Sequence, residues 1–409
     1  MIRCTVGVLA HNEAHNIVRA LHALLAQEMQ EHAIDEIIVI ASGCTDATVE
    51  LAQGVAKSYS LVKVEVETER SGKATAIRRL TALARGEVIV MVGADTLPER
   101  TAIEHLLQPF TNPEVGMTGG RIIPLNAPTT WQGFAVQMLW HVHHQLALRR
   151  PKLGELVAFR NVIADFPTDT STDEPAIEAL IAARGYKMAY APKAIVYNRG
   201  PAGTHEFLIQ RRRIFAGQVR IALRYKYFTS SLRVRHVLPL AVEAIRSYPR
   251  FFLWTFAAMA VESWARLLGL ADALRGHEDV VWRPAESTKT VAAETAPDTP
   301  LTLISVKWTP GSLNTMAFLR DLRVHTEPAG SIFWWDSSQG ELLLFVGGES
   351  PLEWFEERVE ELTREHVRMQ PVYSNTASRV SVSWARPLFA GRELVSCRLV
   401  TFSSSPTPN

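Results

Sequence analysis

The chain has 409 residues and a formal net charge of +1. A chain of this length is too long to form one typical hydrophobic core, so two or three domains are predicted. The near balance of charges excludes a protein that binds nucleic acid through a large basic face, so no nucleic acid partner is expected. The three cysteines, Cys4, Cys44 and Cys397, have no paired spacing. We therefore expect neither disulfides nor a zinc site, and a cytoplasmic location.

Strand-like and helix-like patterns alternate through the first part of the chain. Strands are predicted at 5–10, 36–40, 61–66 and 88–92, and helices at 16–25, 45–56 and 73–84. Such alternation is typical of crossover units and predicts an α/β fold with a mostly parallel sheet flanked by helices. In a sheet of this kind, the loops after the strands carry the site.

The strand predicted at 88–92 ends next to a candidate metal-binding carboxylate. Its residues are all apolar, which predicts burial on both faces. Asp95 follows Gly93 just past the carboxyl end, where a carboxylate can hold a divalent cation against a diphosphate. The alternative is that Asp95 caps a helix that begins near Pro98, because Asp-Thr-Leu-Pro is also ordinary strand-to-helix punctuation.

The loops after the first three predicted strands are polar. Asn12 and Glu13 either bind a nucleotide base or ribose, or cap the following helix. Residues 41–48 combine Ser, Gly, Thr and Asp in a turn before a helix, which favours anions or ribose hydroxyls. Lys73 could reach a phosphate or be a solvated lysine, and the spacing of an ATPase phosphate loop is absent.

Two later segments carry further candidate chemistry. Asp173 and Glu174 precede Pro175 at a predicted helix start, where carboxylates either cap the helix or supply a general base. Residues 204–225 predict a helix that contains three consecutive arginines at 211–213. Consecutive residues spread around a helix, so these arginines cannot all lie on one solvated stripe.

Taken in order, these and other short motifs resemble the nucleotide-sugar half of glycosyltransferase family 2. The motifs are Ala-His-Asn-Glu at 10–13, Ser-Gly-Cys-Thr-Asp-Ala-Thr at 42–48, Ser-Gly-Lys at 71–73, Gly-Ala-Asp-Thr at 93–96, Gly-Gly-Arg at 119–121, Gly-Glu-Leu-Val-Ala-Phe-Arg at 154–160, Thr-Asp-Glu at 172–174 and Gln-Arg-Arg-Arg-Ile at 210–214. The resemblance covers about residues 1–225. It implies a GT-A-like fold for this part of the chain.

The resemblance also implies an activity and the residues that carry it. The activity is inverting transfer of a sugar from a nucleotide-diphosphate sugar to a hydroxyl acceptor, with Mg²⁺ or Mn²⁺ as cofactor. The implied donor-binding residues are Asn12, Glu13, Ser42, Asp46, Lys73 and Ala94. Asp95 would hold the metal, and Gln210, Arg213 and Arg160 would bind the acceptor or the diphosphate. Register favours Glu174 as the base and residue type favours Asp173; we prefer Glu174.

The sequence departs from the family pattern at four positions. The family has two aspartates where Ala41 and Ser42 stand and another where Gly93 stands, which leaves Asp95 as the main carboxylate for a metal. Ile214 replaces a tryptophan, so single-sugar transfer is expected rather than processive polymerisation. Two rival functions are a nucleotidyltransferase, which would need a glycine-rich basic loop after the first strand, and a degenerate nucleotide- or sugar-binding protein.

Two apolar segments raise the question of membrane contact. Residues 131–148 predict a helix with His141, His143 and His144, which we interpret as polar groups near an acceptor or an interface, with a metal ligand as the alternative. Residues 237–274 contain an uncharged run of 11 residues, too short to cross a bilayer. They predict an amphipathic helix on a membrane surface or a helix packed on the catalytic domain. A lipid-linked or envelope-glycan acceptor and a place at the inner face of the membrane are inferred from these segments.

Composition divides the whole chain into four regions. They are a catalytic domain at 1–230, an apolar helical region at 231–282, a linker rich in Pro, Thr, Ala and Glu at 283–300, and a small α/β domain of unknown role at 301–409. In the last region, strands are predicted at 301–307, 331–335, 341–346, 379–384 and 394–402, and helices at 311–322 and 351–366.

Overall fold

The computed structural model describes residues 1–126, 130–170, 172–233, 235–237, 239–240, 242 and 252–276, and the backbone of five strands between residues 301 and 403. The chain divides into two compact units, one formed by Met1–Asn126 and Gln132–Val291 and the other by Ala127–Trp131 and Ala292–Asn409. The linker predicted at 283–300 and the helices predicted at 311–322 and 351–366 lie outside the described residues. The predicted domain limits stay predictions.

Strands and helices alternate along the first unit. Its strands are β1 Arg3–Ala10, β2 Ala33–Ser42, β3 Val62–Glu67, β4 Val88–Gly93, β5 Leu97–Pro98, β6 Val115–Pro124, β7 Val157–Arg160 and β8 Lys187–Asn198. Its helices are α1 Ile17–Leu25, α2 Thr48–Ser58, α3 Lys73–Leu83, α4 Ala102–Leu107, α5 Trp131–Arg149, α6 Asp173–Ala183, α7 Thr204–Tyr225 and α8 Phe252–Leu274. The strands and helices predicted before residue 93, and the helices predicted at 131–148 and 204–225, are confirmed.

Within the described part of the chain, these strands form one eight-stranded sheet in the order β3-β2-β1-β4-β7-β6-β8-β5. Strands β3, β2, β1 and β4 are parallel neighbours, as are β6 and β8, whereas β7 and β5 run antiparallel to their neighbours. The prediction of a mostly parallel sheet flanked by helices is therefore confirmed. The loops that follow β1, β2 and β4 meet at one edge of this sheet.

Strand β4 is buried on both faces, as predicted. Val88, Val90 and Val92 contribute to one hydrophobic cluster, and Ile89 and Met91 contribute to the other. None of the five is more than 3% exposed. Because successive side chains of a strand point to opposite faces, β4 belongs to the cores on both sides of the sheet. Its carboxyl end is thereby held firmly at the edge where the loops meet.

The prediction that a helix begins near Pro98 is wrong. Pro98 lies in β5 and pairs with Val196 of β8, and α4 begins only at Ala102, after Thr101. Strand β5 is the last strand of the sheet. Proline is tolerated on an edge strand because its missing N–H removes no ladder hydrogen bond there. Asp95 therefore does not cap α4.

Helix α8 packs along α7. Arg211 of α7 donates two hydrogen bonds to Glu262 of α8, at 2.7 and 3.1 Å. Arg212 makes a similar fork to Asp272, at 2.5 and 2.7 Å. The helices approach closely at Gly269, where an added Cβ would lie 2.5 Å from the carbonyl oxygen of Arg212. This face of α8 is therefore packed on α7. This packing agrees with the alternative that the segment forms a helix packed on the catalytic domain.

The opposite face of α8 presents a stripe of exposed apolar side chains. Leu253, Phe256, Trp264, Leu267 and Leu274 are 55% to 75% exposed. Their spacing places them on one side of a helix with 3.6 residues per turn. We call these five residues the apolar stripe. Among the described residues, no helix combines the length and the hydropathy that crossing a membrane requires.

The second unit contains a five-stranded sheet among its described residues. Its strands are β9 Leu301–Trp308, β10 Ile332–Asp336, β11 Glu341–Gly347, β12 Arg379–Ala385 and β13 Val400–Ser403. They lie in the order β10-β11-β9-β12-β13, and all pairs are antiparallel. The strands predicted at 301–307, 331–335, 341–346 and 379–384 are confirmed. Of the strand predicted at 394–402, only the part from Val400 lies among the described residues.

We expect Gly269→Ala to lower the free energy of unfolding by about 1–3 kcal/mol, because the new methyl group would overlap backbone atoms of α7. The shift of the urea unfolding midpoint measures this effect. Gly54→Ala in α2 is the matched control, since nothing lies within 4 Å of an added Cβ there. Alanine should stabilise that helix by about 0.5–1 kcal/mol. Equal effects of the two substitutions would contradict the close approach of α7 and α8.

Candidate active site

A cavity of about 1230 Å³ opens at the edge of the sheet where the strand loops meet. Its walls come from the loops after β1, β2 and β4, from the starts of α3 and α6, and from α5 and α7. Nine predicted site residues line it: Asn12, Glu13, Ser42, Lys73, Asp95, Asp173, Glu174, Gln210 and Arg213. Segments that are distant in sequence therefore converge on one cavity.

Asn12 and Asp46 hold the first two loops together. The side chain of Asn12 accepts a hydrogen bond from the N–H of Thr45 at 2.7 Å and donates one to its hydroxyl at 3.1 Å. The carboxylate of Asp46 accepts hydrogen bonds from the N–H groups of Ala14 and Thr48, at 3.1 and 3.0 Å. Asp46 does not line the cavity, so its observed contacts are those of a loop brace.

Glu13 and Ser42 lie on the cavity wall beside this brace. The carboxylate of Glu13 accepts a hydrogen bond from the side chain of Asn16 at 2.8 Å, and its N–H donates to the hydroxyl of Thr48 at 2.7 Å. The carbonyl oxygen of Ser42 lies 2.7 Å from Nδ1 of His11. Among the described residues, the buried hydroxyl of Ser42 has no hydrogen-bond partner. The wall thus retains an unsatisfied polar group of the kind that a ribose or base could engage.

Asp173 and Glu174 begin α6 and face Lys73, the first residue of α3. The ammonium of Lys73 forms a close ion pair with Asp173 and lies 3.9 Å from the carboxylate of Glu174. Burial opposes ionisation of Asp173, but the charge and hydrogen bond of Lys73 outweigh it, so the pKa of Asp173 is lowered. Burial and the charge of Asp173 raise the pKa of Glu174 to about 7. Lys73 thereby divides the two carboxylates into an ionised group and one that titrates near neutral pH.

Glu155 adds a further carboxylate that is absent from the predicted site residues. It follows Gly154, lines the cavity and has a φ of 57°, which is uncommon for any residue but glycine. Burial, followed by the charges of Asp95 and Glu174, raises the pKa of Glu155 to about 8. The sequence signal was the Gly-Glu pair just before the buried strand at 157–160. We call Asp95, Glu155, Asp173 and Glu174 the acidic group.

The three consecutive arginines of α7 point in different directions, because successive residues of a helix are 100° apart. Arg211 and Arg212 pair with α8, and the guanidinium of Arg213 faces the acidic group from the cavity wall. Burial lowers the pKa of Arg213, and three carboxylates of the acidic group oppose this effect. The prediction that the arginines do not form one solvated stripe is confirmed.

Arg160 and Ala94 do not join the other predicted residues. Strand β7 is antiparallel to β4, and Arg160 is paired with Val88 at the opposite edge of the sheet. Its guanidinium donates to the carbonyl oxygens of Val115 and Phe110, at 2.8 and 3.2 Å. The assignment of Arg160 to acceptor or diphosphate binding is therefore corrected to a structural role. Ala94 is 2% exposed and belongs to the hydrophobic core.

The histidines of α5 are neutral groups in a buried setting. Nδ1 of His144 lies 2.7 Å from the hydroxyl of Tyr190, and His143 lines the cavity. Burial lowers the pKa of His141 to about 3 and holds those of His143 and His144 well below the usual range. Among the described residues, these histidines belong to no group of three or more side chains arranged to hold a metal ion. Their interpretation as metal ligands is not supported.

Asp95 and Glu155 are chemically suited to a hard divalent cation. Both line the cavity, and the charge of Asp95 helps to raise the pKa of Glu155, a repulsion that a cation would relieve. An added Cβ at Gly93 would lie 2.6 Å from Oδ1 of Asp95, so Asp95 fills the space beside the glycine. Mg²⁺ needs one or two protein carboxylates and takes its other oxygens from phosphate and water. The residues present fit that requirement.

Residues 5–161, which supply the sheet edge and the first loops of this cavity, match the family model of glycosyl transferase family 2. The match confirms the resemblance seen in the sequence for this part of the chain. Its α/β architecture is the GT-A-like fold that the resemblance implies.

Curated relatives and a solved structure are similar to this chain. Glycosyltransferase AglE of Haloferax volcanii is 24% identical over 118 residues, which are 29% of this chain and 38% of that protein. Poly-beta-1,6-N-acetyl-D-glucosamine synthase of Staphylococcus aureus strain COL is 23% identical over 269 residues, 62% of this chain and 63% of that protein. The chain thus spans less than two thirds of these relatives. Mannosyltransferase PcManGT from Pyrobaculum calidifontis, solved with GDP-Man and Mn²⁺, has a TM-score of 0.49 and 23% identity, covering 68% of this chain and 88% of that chain.

We expect Asp173→Asn to lower the pKa of Glu174, because the substitution removes a neighbouring negative charge and releases Lys73 toward Glu174. Carboxyl-carbon NMR of the free protein should show Glu174 titrating at about 7 and at lower pH in the variant. Asp169→Asn is the control, since Asp169 is exposed and pairs with Arg224 outside the cavity. An unchanged or higher pKa in Asp173→Asn would contradict the charge arrangement described above.

Proposed function

We propose that the protein transfers a sugar from a nucleotide-diphosphate sugar to a hydroxyl acceptor with inversion at the anomeric carbon. The observation that carries this proposal is the convergence of Asp95, Glu174 and Arg213 on one cavity. A glycosyl transfer of this kind needs a base for the acceptor hydroxyl and positive charge for the departing diphosphate. Glu174 would be the base, and Arg213 and a metal ion held by Asp95 would supply the charge. The family match over residues 5–161 supports the same activity.

Glu174 is the general base in this mechanism. The acceptor oxygen forms a bond to the anomeric carbon while the bond from that carbon to the diphosphate oxygen breaks, and Glu174 takes the hydroxyl proton. A pKa of about 7 suits this role, because a base is most effective when its pKa lies near the working pH. Asp173 is a poorer base because Lys73 stabilises its ionised form. Direct displacement by one base inverts the anomeric centre.

Arg213 and the metal site would stabilise the departing diphosphate. Arg213 lines the cavity within electrostatic reach of three carboxylates of the acidic group. Its guanidinium would meet phosphate oxygens there, with Gln210 one turn before it. Asp95, with Glu155, would hold Mg²⁺ or Mn²⁺, which supplies positive charge to the diphosphate. Lys73 balances the acidic group and lies at the α3 start, where the helix also favours anions.

Asn12, Glu13 and Ser42 would receive the nucleoside. Asn12 and Glu13 lie on the loop after β1 and Ser42 ends β2, at the side of the cavity bounded by the brace to Asp46. Ser42 stands where the family has an aspartate, and its unsatisfied hydroxyl supports a single polar contact to the base or ribose in place of a carboxylate. Asp46 acts by holding the two loops rather than by touching the donor.

The acceptor proposed here is a lipid-linked compound or an envelope glycan, reached from the inner face of the cytoplasmic membrane. The apolar stripe of α8 supports peripheral attachment, because large apolar side chains aligned on one exposed helix face favour the lipid interface. The same helix is joined to α7, which carries Gln210 and Arg213. Attachment through α8 would therefore hold the cavity close to the lipid surface.

Hydrolysis of a panel of nucleotide-sugars with Mg²⁺ or Mn²⁺ tests the activity. Glu174→Gln should slow nucleotide release by about 10²- to 10⁴-fold, because it removes the base. Asp95→Ala should abolish the nucleotide release that depends on metal. Glu114→Gln is the control, since Glu114 is exposed and pairs with Lys187. Anomeric proton NMR of the first product identifies inversion. No release from any donor, and no metal-dependent donor binding, would leave a binding protein in place of an enzyme.

We expect the triple variant Leu253→Ser, Phe256→Ser and Leu267→Ser to lose binding to lipid vesicles, measured by co-sedimentation. Burying one large apolar side chain contributes about 1.5–3 kcal/mol, so three losses should weaken binding by far more than tenfold. Leu51→Ser with Val66→Ser is the control, since both side chains are exposed apolar groups away from α8. Vesicle binding that persists in the triple variant would reject attachment through the apolar stripe.

A further inference from the structure

A lysine outside the acidic group lies in the cavity wall, close to other positive charges. Lys152 lies between α5 and β7 and lines the cavity. Among the described residues, it has no hydrogen bond or ion pair. Burial lowers the pKa of Lys152 to about 7, and the like charges of Arg211 and Arg266 act in the same direction, against weaker opposition from Glu262 and Glu178. An anion that enters the cavity would stabilise the charged form of a lysine in this setting.

Three buried polar side chains line the cavity with Lys152. They are His143 of α5 and Arg211 and Gln218 of α7, at 5%, 9% and 7% exposure. The charges of Lys152 and Arg211 both lower the pKa of His143, after burial, which places the three groups within electrostatic reach of one another. Oε1 of Gln218 accepts a hydrogen bond from Ser231 at 3.1 Å. The amide nitrogen of Gln218 is therefore the end of that side chain that can donate to a ligand.

The carboxylates of this region are already engaged. Glu262 accepts hydrogen bonds from both Arg211 and Arg266, the latter at 2.7 Å, so one negative charge is shared by two guanidinium groups. Glu178 accepts a hydrogen bond from the hydroxyl of Tyr227 at 3.0 Å, and burial raises its pKa to about 7. Positive charge is thus in excess around Lys152 at neutral pH.

Glu178 connects the surroundings of Lys152 with the proposed base. Glu178 and Glu174 are four residues apart on α6, so their Cβ atoms are about 5–6 Å apart on one face of the helix. The pKa of Glu178 responds, after burial and its hydrogen bonds, to both Lys152 and Glu174. Lys152 and the proposed base Glu174 are therefore both within electrostatic reach of Glu178.

We infer that Lys152, with His143, Arg211 and Gln218, forms a subsite for a phosphate group of the acceptor. The inference rests on the proposed function only in assigning the anion to the acceptor. A phosphate monoester fits because it offers several acceptor oxygens to two cations and two neutral donors. The phosphate could belong to a lipid headgroup or to a soluble phosphorylated compound, which share this chemistry. The subsite would select acceptors that carry the phosphate close to the reacting hydroxyl.

Glycerol phosphate, a soluble phosphate monoester, is the probe for the first experiment. Calorimetric titration is carried out with Mg²⁺ and saturating nucleoside diphosphate present, so that donor phosphate contacts are already filled. We expect binding to weaken at least about tenfold in Lys152→Met, a loss of about 1.4 kcal/mol, and to be retained in Lys152→Arg. Lys187→Met is the control, since Lys187 is exposed and pairs with Glu114.

Two results would overturn the subsite. One is binding of glycerol phosphate only when the nucleoside diphosphate is left out, which would place the anion in the donor region. The other is equal binding by Lys152→Met and Lys187→Met. Vesicles of phosphatidate and of phosphatidylcholine then distinguish the sources. Binding to phosphatidate vesicles that depends on Lys152 supports a lipid phosphate. Binding of glycerol phosphate that depends on Lys152, without binding to phosphatidate vesicles, supports a soluble acceptor. Because no step of this titration requires turnover, loss of donor hydrolysis would reject the proposed function without affecting this result.

Discussion

The burial of β4 on both faces is the constraint on which the site depends. A strand that contributes to two hydrophobic clusters cannot shift or rotate without opening both of them. Its register with β1 and β7 is therefore fixed, and so is the position at which the chain leaves the sheet. Asp95 follows that point directly. The edge strand β5, with Pro98, then carries the chain back along the sheet rather than into a helix, which keeps Asp95 at the cavity.

Competition for a small number of cations organises the charges around this carboxylate. The acidic group brings four carboxylates to one cavity, faced by Lys73 and Arg213. Lys73 pairs closely with Asp173 and leaves Glu174 and Glu155 with raised pKa values. Such an arrangement is unfavourable for stability, because buried carboxylates resist ionisation. It would favour the proposed chemistry, because it would offer a proton acceptor near neutral pH and a place for a divalent cation.

Helix α7 connects this chemistry to the molecular surface. Its first two arginines bind α8, its third faces the acidic group, and Gln218 lies five residues further along. The apolar stripe and the Lys152 region are therefore attached to the same rigid element as the proposed leaving-group contacts. The proposed attachment and the proposed choice of acceptor would therefore both depend on this helix pair.

The local pattern of the chain was enough to predict the elements and most of the cavity. Alternating apolar runs predicted the parallel strands, and because parallel strands expose their carboxyl ends at one edge, Glu13, Ser42 and Asp95 could be placed together without coordinates. Ordered motifs placed Glu174 and Arg213 with them. These predictions succeeded because strand periodicity and strand-end loops are local properties of the sequence.

Long-range packing governed what the sequence left open. Arg160 belongs to the opposite edge because β7 runs antiparallel, and strand direction is not encoded in a short apolar run. Glu155, Lys152 and the division of roles between Asp173 and Glu174 depend on which charges meet across the fold. The sequence indicated that α8 is amphipathic, but only its contact with α7 distinguishes the packed face from the exposed face. Charge pairing and strand direction arise between distant segments, so they follow from tertiary structure rather than from local sequence.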